Sequence, residues 1–217
     1  MSVLVLRPQP EADATARELR RRGHDAIVSP LLAAAPGDPP PTGSFDAVAA
    51  TSPRALRALD ALPARPPLFV VGERCAVLAR GAGWDVRAAA DDARHLTERI
   101  AFRRPSHVLH AAPAERAFDL EAALGAAGIG CTTWIAYRML PLALVEEARS
   151  ALRRRATVLL TSPRIAAIFA AQWRGVDRRA QAPRLLAISP AAAAPVEGVG
   201  PVQVAGRPTL AALLELL

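Results

Sequence analysis

Two short segments of this sequence combine residue types that suit anion binding. Thr51-Ser52-Pro53-Arg54 follows the apolar run Ala47-Val48-Ala49-Ala50, and Thr161-Ser162-Pro163-Arg164 follows Thr157-Val158-Leu159-Leu160. A short apolar run reads as a buried strand. Ser-Pro directly after it reads as a helix start, with Ser as the cap and Pro at the first helical position. Backbone N–H groups and the dipole at such a start favour a carboxylate or phosphate. Two such starts suit a ligand with several anionic groups. Tyr137, the only tyrosine, ends the strand-like run 132–137. Its phenol can donate a proton or hydrogen bond to a departing oxygen; its ring can equally serve as an interdomain packing element.

Other chemical groups carry weaker signals. His107 and His110 are three apart on a strand-like run, which puts them on opposite faces and argues against a metal pair. Cys75 falls on the inward side of a helical pattern with no adjacent His, which fits a core thiol better than a nucleophile. The run Gly125-Ala126-Ala127-Gly128-Ile129-Gly130 ends a helix, so it lacks the strand–glycine–helix order of a dinucleotide fingerprint. The chain has no Lys, which excludes a P-loop.

The elements that must position these groups alternate. Strand-like runs fall at 3–6, 26–28, 45–50, 68–71, 85–89, 107–111, 132–137, 157–160, 185–188 and 202–205, and helical patterns fill most of the intervals. The helix after 68–71 places Cys75, Leu78, Ala79 and Ala82 inward; that near 145–153 places Val145, Ala148 and Leu152 inward. Pro195 interrupts a short helix from Pro190. The segment 33–44 contains Pro36, Gly37, Pro39, Pro40, Pro41 and Gly43 and reads as a linker. Continuous apolar strands alternating with helices imply an α/β fold with parallel sheets covered on both faces. Ten strands suffice for two five-stranded sheets.

Internal echoes divide the chain. Thr51-Ser52-Pro53-Arg54-Ala55 returns as Thr161-Ser162-Pro163-Arg164-Ile165, whereas Pro8, Leu19 and Gly23 match Pro113, Leu124 and Gly128 at another offset. The N-terminal βαβ unit therefore corresponds to the one at 107–137, and the unit starting at Phe45 to the one starting at Thr157. These offsets predict two similar domains, one discontinuous (1–34 plus 141–217) and one inserted (36–138). Two crossing linkers would join them, permit hinge motion and leave a shared cleft.

Bulk composition bounds the function. The 217 residues allow two small domains, and 52% hydrophobic with 4% aromatic residues implies a core of Ala, Val, Leu and Ile. The net charge of +7 comes entirely from Arg, scattered without a basic tract. It fits either GC-rich codon usage or an anionic partner. Neither a metal cluster nor a disulfide framework is expected from Cys75 and Cys131, and no apolar run reaches the ~20 residues of a membrane helix. A monomer in the cytoplasm, without nucleic-acid or membrane partners, is the expectation.

The order and spacing of several short motifs resemble the uroporphyrinogen-III synthase family. They are Val3-Leu4-Val5-Leu6-Arg7-Pro8, Pro30-Leu31-Leu32, Phe45-Asp46, Thr51-Ser52-Pro53-Arg54 and Val71-Gly72-Glu73, then Ala136-Tyr137-Arg138, Thr161-Ser162-Pro163 and Pro208-Thr209-Leu210. The resemblance implies two α/β domains joined by two linkers. It implies a lyase that cyclises hydroxymethylbilane with loss of water and inversion of the last pyrrole ring, using no cofactor. Its substrate is a linear tetrapyrrole with eight carboxylates. By resemblance Tyr137 is the catalytic residue, helping the hydroxyl depart. Arg7, Thr51, Ser52, Gly72 and Cys75 are implied as substrate-binding, as are Thr161, Ser162 and Ser189. The chain departs from the family at Cys75, where Thr is common, at Ala191 or Ala192, where a Thr is expected, and at Ser189, which replaces a glycine. These departures motivate an alternative, a two-lobed non-catalytic binder of an anionic small molecule. A nucleic-acid binder, suggested by charge alone, is a third possibility.

Overall fold

The computed structural model describes residues 2–174 and 181–217. Its chain forms two compact units, Met1–Ala33 with Leu140–Leu217, and Ala34–Met139. Each contains a sheet flanked by helices.

In the first unit, β1 (Ser2–Val5) leads through α1 (Glu11–Arg21) to β2 (Asp25–Val28). After α6 (Glu146–Arg153) the chain continues as β9 (Thr157–Leu160), α7 (Pro163–Trp173), β10 (Arg184–Ala187), α8 (Pro190–Ala193), β11 (Val202–Val204) and α9 (Leu210–Leu214). The strand order is β11-β10-β9-β1-β2, and every pair is parallel. Side chains alternate across a strand. Val3, Val5, Leu159 and Leu186 therefore share a face, which packs on Ala12, Ala16 and Leu19 of α1 and Ala212 and Leu213 of α9. The short α8 gives way to a single 3-10 turn at Ala194–Val196, as the position of Pro195 requires. Gln172 pins the chain entering α6 to α7: its amide donates to the Leu142 carbonyl and accepts from the Leu144 N–H, both at 2.7 Å.

The second sheet and its helices comprise β3 (Leu32–Pro36), β4 (Ala47–Ala50), α2 (Pro53–Leu59), β5 (Leu68–Val71), α3 (Glu73–Gly81), β6 (Val86–Ala90), α4 (Ala93–Arg103), β7 (His107–Pro113), α5 (Leu120–Ala126) and β8 (Gly130–Pro141). Its strand order is β3-β8-β7-β4-β5-β6. The five strands from β8 to β6 are parallel. Set side by side, the orders β2-β1-β9-β10-β11 and β8-β7-β4-β5-β6 follow the two repeat offsets strand for strand. One sheet face carries Val48, Ala50, Val70, Leu109 and Ala111 against α2 and α3, and the other carries Ala47, Ala49, Phe69 and Val108 against α4 and α5. Asp46 fixes the entry to β7, because its carboxylate accepts the Ser106 and His107 N–H groups at 2.9 and 3.0 Å.

The structure corrects several expectations. The described strands number eleven, and one sheet has six. The extra strand is β3, inside the segment expected to be only a linker. It is an edge strand, where Pro36 interrupts no central ladder. Its partner β8 runs on to Pro141, four residues past the expected end. Leu31 meets Leu142 and Gly37 meets Ala136, so partner numbers fall along β8 as they rise along β3, and this pair is antiparallel. Leu78, Ala82 and Val145 are exposed, because the inward faces of their helices are Cys75, Ala76 and Ala79 in α3 and Ala148, Ala151 and Leu152 in α6.

Gly37 is where β3 leaves β8. A Cβ there would lie 1.8 Å from the Ile135 carbonyl oxygen. The backbone can approach this closely only without a side chain. The approach lets Gly37 and Asp38 donate to the Ala136 and Ile135 carbonyls, and Trp134 Nε1 donates to the Asp38 carbonyl at 2.9 Å.

Candidate functional site

In parallel α/β sheets ligands collect beyond the carboxyl ends of strands. The second unit has a cavity of about 360 Å³ at this edge, lined by residues that follow five neighbouring strands. Thr51 and Ser52 come from β4, Val71 from β5, Asp91 and Asp92 from the end of β6, His110 and Pro113 from β7, and Tyr137 from β8. The chain at 115–118 completes the lining.

Tyr137 reaches this lining through an irregularity. Ala112 pairs with Ile135, but Pro113 pairs with Tyr137, so β8 has one residue more than β7 here. A bulge of this kind re-aims a side chain at a strand end. Ala136 and Tyr137, although consecutive, join the same apolar cluster with Leu109 and Ala111. Tyr137 is 8% exposed, and its carbonyl accepts the Ala114 N–H at 3.1 Å.

Ser52 is a cap: its hydroxyl accepts the Arg54 N–H at 3.3 Å, with Pro53 at the first helical position. Asp92 caps α4, accepting the His95 N–H at 2.9 Å, and that bond holds its carboxyl below the usual range. The positive end of α4 is thus already met by a carboxylate. Among the described residues, Asp91, Asp92 and Glu115 stand against one cation, Arg116, around this cavity. The lining is richer in hydrogen-bond acceptors than the net charge of the chain suggests.

His110 has a place in the site that its spacing from His107 does not reveal. The two do face apart: His107 Nε2 lies 2.9 Å from Thr132 Oγ1, whereas His110 is 1% exposed and lines the cavity. Neither His110 ring nitrogen has a hydrogen-bond partner among the described residues. Burial, reinforced by the Arg116 guanidinium and opposed by Asp119 and Glu121, holds its pKa down at about 4. It is therefore a neutral imidazole, one donor and one acceptor, near pH 7. An unmet buried polar group of this kind costs about 1–3 kcal/mol. The signal in the sequence is a polar residue inside the apolar run 108–112.

Gly72 begins α3 with φ of 83°, a conformation that favours glycine. Cys75 does not line the cavity. It is 1% exposed within the apolar cluster beneath α2 and α3, and burial pushes its thiol up to about 11. It is a packing group, which corrects its assignment to substrate contact.

In the first unit Arg7, Thr161, Ser162 and Ser189 follow β1, β9 and β10, three adjacent strands. Arg7 donates to Thr15 Oγ1 at 3.1 Å. Ser162 caps α7 by accepting the Ile165 N–H at 3.2 Å, and Ser189 caps α8 by accepting from Ala192 at 3.3 Å. Both helices start with Pro, which brings no N–H. No group of three or more metal-ligating side chains occurs among the described residues, and no described helix is long and apolar enough to cross a membrane.

The fold and these strand-end residues define an α/β protein of two sheet units. The family model for uroporphyrinogen-III synthase HemD matches residues 13–215, and the chain belongs to that family. Membership implies a lyase-type enzyme of haem biosynthesis acting on hydroxymethylbilane. The fold is similar to that of uroporphyrinogen-III synthetase from Helicobacter pylori 26695, with a TM-score of 0.63 at 19% identity over 99% of this chain and 96% of that one. A mutant uroporphyrinogen III synthase from the extremely thermophilic bacterium Thermus thermophilus matches with a TM-score of 0.50 at 16% identity, over 99% and 96% of the two chains. No curated protein matches the sequence.

Proposed function

We propose that this chain performs the synthase reaction by positioning, with Tyr137 as its proton donor and without a cofactor. The terminal C–O bond of hydroxymethylbilane breaks, the electron pair leaves with oxygen, and the Tyr137 phenol supplies the proton that makes it water. The substituted carbon of the last ring then attacks the methylene so formed, giving a spiro intermediate. Its bond to the original bridge methylene breaks, that methylene reattaches at the free α carbon of the now inverted ring, and the proton lost there returns to the Tyr137 phenolate. The bilane also closes unaided to the uninverted isomer. The protein must therefore hold a conformation and stabilise developing charge rather than supply a strong nucleophile.

The observation that carries this reading is the meeting of Tyr137 with Thr51 and Ser52 in one cavity at the strand ends. The chemistry of the thiols agrees with it. Burial pushes Cys75 up to about 11 and, with Glu121 and Asp119 adding, Cys131 up to about 12. Neither is a thiolate at neutral pH, so covalent capture by sulfur is disfavoured. In the second unit, carboxylates of the substrate are assigned to Thr51, Ser52 and the Gly72 backbone.

We further propose two similar domains, about 1–34 plus 141–217 and 36–138, in a monomeric cytoplasmic enzyme. The matching strand orders and the two compact units support the division. Separating type III from type I uroporphyrinogen after incubation with fresh hydroxymethylbilane tests the activity. Binding with only type I product would favour a non-catalytic binder. That reading is motivated by Ala191 and Ala192, where the family pattern expects a Thr hydroxyl.

A further inference from the structure

Resting on the synthase reading, we propose that His110 is a further substrate-binding residue of the cavity: its imidazole accepts a hydrogen bond from a pyrrole N–H of the bound tetrapyrrole. The geometry is a buried ring on the cavity wall with both nitrogens unmet. A neutral imidazole can serve a pyrrole N–H through its bare nitrogen and leave its own N–H for a second contact.

The surrounding groups select the kind of ligand atom. Asp91 and Asp92 face the cavity from the start of α4, and Glu115 and Arg116 from the chain after β7. Asp119 and Glu121, from the start of α5, act on the ring at longer range. Among the described residues, five carboxylates against one guanidinium disfavour an anionic group at His110 and favour an N–H donor. β8 contributes Tyr137 to the lining, and β4 contributes the neutral hydroxyls of Thr51 and Ser52. The cavity thus takes the pyrrole edge of the substrate, and its carboxylate side chains extend away from His110.

The test combines two variants with one spectrum. His110→Phe keeps a flat ring without an acceptor, and His110→Gln restores an amide donor and acceptor. The expected result is a KM for type III formation about tenfold higher in H110F and within about threefold of wild type in H110Q, the span of one modest hydrogen bond. In the wild-type protein, adding uroporphyrinogen III anaerobically should shift one His110 ring-nitrogen resonance in a long-range 15N–1H spectrum. An active wild type whose His110 resonances ignore saturating product overturns this assignment and leaves the synthase reading intact. So does a folded H110F with unchanged KM. A wild type that neither forms type III nor binds the product overturns both. If H110F does not fold, the wild-type spectrum alone decides.

Discussion

Tyr137 stands opposite Pro113 across the β7–β8 pair, in the place that unbroken register would assign to Ala136. One extra residue in β8 therefore decides which side chain meets the cavity. A period-two strand would have pointed Ala136 and Tyr137 to opposite faces. Here both join one apolar cluster, and the tyrosine ring lies at its edge, where it also lines the cavity.

Tyr137→Phe separates the ring from its hydroxyl. The ring carries the packing, so the melting temperature should stay within a few degrees of wild type. Loss of a general acid should slow type III formation by ~10²-fold or more. Steady-state rates and a thermal melt on the same sample check both, and an unchanged rate would assign Tyr137 to packing alone.

His110 makes stability depend on pH. Its folded pKa is lowered from 6.5 to about 4, so between these values the unfolded chain binds a proton that the folded chain does not. Stability is therefore full above about pH 6.5 and declines as pH falls toward about 4, by at most ~3 kcal/mol from this group. Urea unfolding at a series of pH values should show the decline. H110Q should lack this part of it.

Gly37→Ala tests the departure of β3 from β8. Its new Cβ would collide with the Ile135 carbonyl at 1.8 Å, so the backbone must move and the Trp134–Asp38 hydrogen bond must lengthen. A loss of ~2 kcal/mol or more in unfolding free energy is expected from such a close-packed position. Denaturant midpoints and Trp fluorescence report it.

Cys75→Ser tests the placement of that residue in the core. A hydroxyl among Ala55, Ala76 and Leu59 finds no apolar equivalent of the thiol's contacts and should destabilise by ~1–3 kcal/mol. Activity per folded molecule should hold. The native thiol should resist alkylation near pH 7 until the chain unfolds.

Much of this arrangement was legible in the sequence because it depends on short-range chemistry. Ser52-Pro53 and Ser162-Pro163 predict capped helix starts, and both caps are present. The two repeat offsets pair the strands of one sheet with those of the other, and the observed strand orders match in that pairing. The misses have physical reasons. Pro36 and Gly37 conceal β3, since an edge strand tolerates residues that a central strand rejects. Leu78 and Val145 satisfy a helical period yet stay exposed, because Cys75, Ala76 and Ala79 form the inward face of α3 and Ala148, Ala151 and Leu152 that of α6. The β8 irregularity and the unmet nitrogens of His110 arise from packing across strands, which residue spacing does not encode.

The most direct measurement is the isomer ratio formed from fresh hydroxymethylbilane. With the purified chain present, type III uroporphyrinogen should dominate, and Tyr137→Phe should return the mixture toward type I. A product that remains type I at every concentration of folded wild-type protein would contradict the assignment of this chain's strand-end cavity to ring inversion.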